Sequence, residues 1–131
     1  MFSKEMLIGI FLGSAKMDFS IQRANDTQIG YRVKLKLIFR ADKDFLRAIS
    51  RSLEQHQIGW TFKLSESKSR PKPVLTIGGI KNLYKVMQLV PKLPDHKGEW
   101  VILRELVELM SENRQNTAEG LDRILKLKGV I

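Results

Sequence analysis

The stretch "YRVKLKLIF", Tyr31 to Phe39, alternates apolar and basic residues almost without a break. A chain with this period can only run as a strand, because successive side chains of an extended backbone point to opposite faces. Tyr31, Val33, Leu35, Leu37 and Phe39 take one face; Arg32, Lys34, Lys36 and, just beyond, Arg40 take the other. One face must be covered by other elements and the other must stay wet, which is the pattern of an antiparallel sheet packed on one side only.

The remaining elements fit around that strand. Glu5 to Ala15 reads as a helix, Met17 to Ala24 as a strand, and Asn25-Asp26 as part of the turn that joins it to Tyr31. Asp42 is placed to cap a helix running to about Gln55, with Phe45, Leu46, Ile49 and Leu53 at helical spacing. Ile58 to Leu64 alternates again, and "VLTIGG" is a strand ended by Gly78-Gly79. Ile80 to Val90 and Trp100 to Glu112 read as helices, and Thr117 starts a last helix to about Lys128. The expected fold class is α+β, in the order αββαββα, with a four-stranded antiparallel sheet backed by helices. No linker divides residues 1–131, so they read as one domain. Val33, Leu35, Leu37, Trp60 and Phe62 are expected to face the helices.

Charge indicates the partner. The chain has 23 Lys+Arg against 14 Asp+Glu, a net charge of +9 and a pI near 10.0, which suits a polyanion. The open sheet face would carry Ser20 and Gln22 from the first strand, Arg32, Lys34, Lys36 and Arg40 from the second, and Thr61 and Lys63 from the third. Arg70 and Lys72 lead into the fourth. A twisted ribbon of cations and amides fits a major groove, where such side chains reach phosphates and base edges. A solvated face with lysines that blunt the sheet edge has the same composition. The face holds too few aromatics for stacking on single strands, and nothing else in it separates DNA from RNA.

Other chemistries are narrowed. There is no cysteine, and His56 and His96 are the only histidines, so disulfides, thiolate metal sites and a histidine metal cluster are excluded. No segment is apolar for long enough to span a membrane. A leader sequence is not recognisable, which is the pattern of a cytoplasmic chain, of one made where it works, or of one already processed.

The first helix has an unusual feature, Gly9 and Gly13 in "LIGIFLGSAK". Each glycine costs a soluble helix about 1 kcal/mol against alanine. Four residues apart they share a face, where a second helix can approach backbone to backbone.

This helix, followed at once by "FSIQ", resembles the motif of the LAGLIDADG homing endonucleases. Leu7, Gly9 and Ile10 match in kind, Gly13 takes the second small position, and "FSIQ" matches after an insertion of two residues. "FRADKDFLRAI", "LTIGGIKNL" and "NTAEGLDRILKLK" are similar to later parts of the same half-fold, so the resemblance covers nearly the whole chain. It implies a homodimer through the Leu7–Ala15 helix, or a place in a ribonucleoprotein, with DNA or RNA as partner and no membrane. It also implies an organellar location.

The resemblance further implies an acid at the end of the motif helix, where paired carboxylates hold divalent metal. Ser14 stands there instead, and the other motif acid is Leu12. Asp18 becomes the metal acid only in a shifted register. Arg40 falls where the family often has a glutamine near the scissile phosphate, and Lys97 near its basic active-site residue; both can equally be phosphate contacts. The expectation is a nucleic-acid binder without cleavage and without a cofactor: maturase-like, DNA-binding or ribosomal. An endonuclease that uses Asp18 with Mg2+, or a basic domain that binds an acidic protein, are the alternatives.

Overall fold

A computed structural model describes residues 2–27, 29–92 and 98–129. Helix α1 (Lys4–Ser14) starts at Ser3, whose side chain accepts from the Met6 N–H. Strand β1 (Lys16–Arg23) follows after the single residue Ala15 and turns into β2 (Tyr31–Arg40). Helix α2 (Lys43–Gln55) begins at Asp42, whose carboxylate accepts from the Phe45 N–H at 2.9 Å. Strands β3 (Thr61–Lys63) and β4 (Val74–Gly78) come next, then α3 (Ile80–Leu89), α4 (Glu99–Ser111) and α5 (Ala118–Lys128). A short 3-10 turn at Arg114–Asn116, which the residue pattern does not announce, precedes α5.

The four strands form the expected antiparallel sheet, in the order β1-β2-β4-β3. Register sets the two faces. Met17, Phe19 and Ile21 stand opposite Leu37, Leu35 and Val33. Phe39 stands opposite Leu75, and Leu75 opposite Phe62. All of these face the helices, which cover them with Leu7 and Phe11 of α1, Leu46, Ile49 and Leu53 of α2, Leu83 and Val86 of α3, Leu103 and Leu106 of α4 and Ile124 of α5. The Phe11 ring meets Phe39 edge-on at 5.4 Å and Trp100 at 6.4 Å, geometry that aromatic quadrupoles favour. Trp60 and Phe62 are half-buried against the same core.

Three details depart from the alternation. Strand β3 is only Thr61–Lys63, not Ile58 to Leu64. The Ile58 N–H is spent on the Leu53 carbonyl at the end of α2, and the Gly59 N–H donates to Asn82 Oδ1 at 2.8 Å. Those residues close the helix and brace α3, so they are not available to a ladder. Gly59 itself leaves room for that brace, since a Cβ there would lie 2.9 Å from Asn82 Nδ2. Tyr31 shares the apolar side of β2, yet at the far end of the hairpin it is 38% exposed. Ile38 and Val74 break the pattern in the other sense: both are buried, yet their register puts them on the open face.

Both edges of the sheet have neighbours or short lengths. The Lys128 ammonium donates to the Phe19 carbonyl at 2.7 Å and sits 4.8 Å from the centre of the Phe19 ring. The end of α5 thus covers part of edge strand β1, and β3 is too short to template pairing. Among the described residues no helix is long and apolar enough to cross a membrane.

Candidate nucleic-acid interface

The face of the sheet away from the helices is assembled by register. From β1 it takes Lys16, Asp18, Ser20 and Gln22, standing opposite Ile38, Lys36, Lys34 and Arg32 of β2. Ile38 pairs in turn with Thr76, and Arg40 with Val74; Thr61 and Lys63 of β3 stand opposite Thr76 and Val74. The structure therefore brings Ser20, Gln22, Arg32, Lys34, Lys36, Arg40, Thr61 and Lys63 onto one surface, and none of them is buried. Arg70 and Lys72 lie exposed in the 64–73 loop at its margin. None of the strand residues on this open face is aromatic.

Three cations of the face have partners. Arg32 pairs with Asp26 at the hairpin turn, and Lys36 lies 3.8 Å from its cross-strand neighbour Asp18. Arg40 makes a two-pronged contact with Glu66, Nε to Oε1 at 2.8 Å and Nη2 to Oε2 at 3.0 Å. That hydrogen bonding holds the Glu66 carboxyl below its usual range, helped by the nearby charges of Arg40, Arg70 and Lys36. Arg40 is in turn pushed up, first by the bond to Glu66 and less by the charges of Glu66 and Asp18. Lys34, Lys63 and Lys72 make no ion pair among the described residues. Asp18 reaches this surface through its strand, whereas Asp26 and Glu66 come from turns, where alternation says nothing about facing.

The centre of the face is apolar. Ile38 and Val74 sit between Lys36, Arg40, Lys63 and the threonines Thr61 and Thr76, so the stems of long cations can lie over them while the charged heads reach outward.

At the junction of α1 and β1 the chain has little slack. Ser14 is the last helical residue and is exposed, Ala15 is buried, and its N–H returns to the Phe11 carbonyl at 3.2 Å. Lys16 and Met17 are the first two residues of β1. Asp18 thus lies on the strand beside Lys36, away from the helix end. Lys97 lies outside the described residues. Among those described, no group of three or more His, Asp or Glu side chains is gathered for a metal ion.

Gly9 and Gly13 are exposed on α1, opposite the Leu7 and Phe11 side that packs on the core. A Cβ at either glycine would meet nothing within 4 Å. Met6, 55% exposed, continues the same stripe. The glycines are therefore not needed for packing inside this chain.

The arrangement has solved counterparts. The homing endonuclease I-TnaI is similar at 19% identity, over 96% of this chain and 85% of that one, with a TM-score of 0.77. The I-LtrWI LAGLIDADG homing endonuclease bound to target DNA is similar at 19% identity, over 99% of this chain and 44% of that one, TM-score 0.78. I-SmaMI bound to cleaved DNA gives 16%, 98% and 43%, with a TM-score of 0.79. No protein-family model matches the sequence, and no curated protein does. The chain therefore has the α+β fold seen in LAGLIDADG homing endonucleases, and spans less than half of the two DNA-bound examples.

Proposed function

We propose that this protein binds double-stranded DNA through the open face of its sheet, as a dimer joined along α1, and does not cut what it binds. The observation that carries the reading is the register of β1, β2 and β3. It gathers Lys34, Lys36, Arg32, Arg40 and Lys63 with Ser20, Gln22 and Thr61 on one uncovered surface of a +9 chain. Cations supply sequence-independent hold on phosphates, while Gln22, Ser20 and the arginines are of the types that read base edges. The similar structures of I-LtrWI and I-SmaMI are bound to DNA. The absence of aromatics on the face favours a duplex over an unstacked single strand, which is held by ring stacking.

The reading without cleavage rests on the side chains at the end of α1. Ser14 offers only a hydroxyl and Leu12 no ligand atom at all. A hard divalent cation takes carboxylate oxygens, so this pair does not fit Mg2+, and no step through a metal is derived. Asp18 is shared with Lys36 on the strand.

Salt dependence tests the binding. Replacing Lys34 and Lys36 together with glutamine should weaken affinity for unrelated duplexes about equally and lower the log–log salt slope by about 2, close to one per phosphate contact. An unchanged slope would mean that the face is merely solvated.

A further inference from the structure

The guanidinium of Arg40 is already engaged. Glu66 takes its Nε and Nη2 hydrogens in a parallel pair at 2.8 and 3.0 Å. The backbone that carries Glu66 is folded on itself. The Glu66 N–H donates to the Lys72 carbonyl, and Ser67 and Arg70 exchange N–H···O bonds. Next to the pair lies a cleft of about 450 Å³ lined by Arg40, Arg70 and Lys72 together with Ala41, Asp42 and Pro73. Neither Arg70 nor Lys72 makes an ion pair among the described residues. Arg40, Arg70 and Lys72 thus line one concavity together with Asp42, whose carboxylate is held by the Phe45 N–H, and the Glu66 carboxylate engages the Arg40 fork alone of the two guanidiniums.

A carboxylate and a phosphodiester present the same two-oxygen edge to a guanidinium. We propose that the cleft of Arg40, Arg70 and Lys72 is a phosphate subsite for the nucleic-acid backbone, and that Glu66 occupies the Arg40 fork until the backbone displaces it. The inference rests on the reading that the sheet face takes nucleic acid. Displacement needs only rotation of the Glu66 side chain, which is 27% exposed, because the loop keeps its shape through its own backbone bonds. The released carboxylate returns to water, so Glu66 acts as a mild competitor that strips weak or poorly placed anions from the subsite.

Removing Glu66 also removes a negative charge, so a double-mutant cycle separates the two effects. Glu66→Gln is made in the wild-type and in the Arg40→Gln background, and affinity for a short DNA duplex is measured at one salt concentration. An exposed pair of good geometry leaves its cation free only a minor part of the time. The gain from Glu66→Gln should therefore be about fivefold larger when Arg40 is present than when it is absent. Equal gains in both backgrounds would show that Glu66 acts only through its charge and would overturn the inference. So would weaker binding by Glu66→Gln, which would make Glu66 a support that holds Arg40 in place. A wild-type protein that binds no duplex at any salt overturns the proposed function, and this inference with it. Melting curves check each variant, and an alanine pair replaces the glutamine pair where a curve shows a folding defect.

Discussion

DNA duplexes selected for binding from a randomised pool, then incubated with the wild-type protein in Mg2+ or Mn2+, should come back uncut. The reason is electrostatic. Hydrolysis of a phosphodiester by metal needs carboxylates that bring the ion to the scissile phosphate and hold it against the charge that develops on the attacking and leaving oxygens. Ser14 offers a neutral hydroxyl at the exposed end of α1, and Leu12 is half-buried and apolar. Losing even ~4 kcal/mol of metal stabilisation slows such a step about a thousandfold. Asp18 is the carboxylate nearest to Ser14 along the sequence, but it lies on β1 with Lys36 at 3.8 Å, and a cation beside it opposes recruitment of another. Double-strand cleavage by the wild type that disappears in Asp18→Asn would assign Asp18 the metal and reverse this conclusion.

Gly13→Leu should turn the proposed α1-joined dimer into a monomer. Inside one chain the substitution is harmless, because a side chain on Gly13 enters open space and leucine is the better helix former. In the proposed dimer it would fall where the two α1 backbones approach each other. Overpacking costs about 1–3 kcal/mol at each site, and a two-fold axis repeats it, so the dimer weakens by at least about 30-fold. Gly13→Ala gives the contrast: in the isolated chain it should add up to about 1 kcal/mol of helix stability. Sedimentation of the wild type and of Gly13→Leu decides the matter, and an unchanged mass for the variant would remove α1 from the interface.

Much of this architecture is legible in the chain because it is local. The alternation of β2 assigns Val33, Leu35, Leu37 and Phe39 to the core and Arg32, Lys34 and Lys36 to the open face, and register confirms each assignment. Asp42 and Thr117 are readable as helix starts for the same reason, since a cap acts on the N–H groups two or three residues away. What is not legible depends on contacts between distant segments. Ile58 and Gly59 look like strand until Leu53 and Asn82 claim their N–H groups. Glu66 looks like a loop acid until the β3–β4 connection brings it to Arg40, 26 residues earlier. Alternation puts Ile38 on the open face with the cations, but only the pairing of β2 with β4 brings Val74 near it and makes a buried apolar centre there. The site was therefore readable as a row of cations, and its counter-charges and apolar centre were not.

The proposed binding surface is the open sheet face, not the helical layer. Backbone amide and lysine side-chain NMR spectra of the protein, recorded without and with a short DNA duplex, distinguish the two. Signals of Ser20, Gln22, Lys34, Lys36, Thr61 and Lys63 should move on binding, while those of Lys81, Tyr84 and Lys85 on the exposed side of α3 stay in place. Shifts confined to α3, with β1, β2 and β3 unmoved, would contradict it.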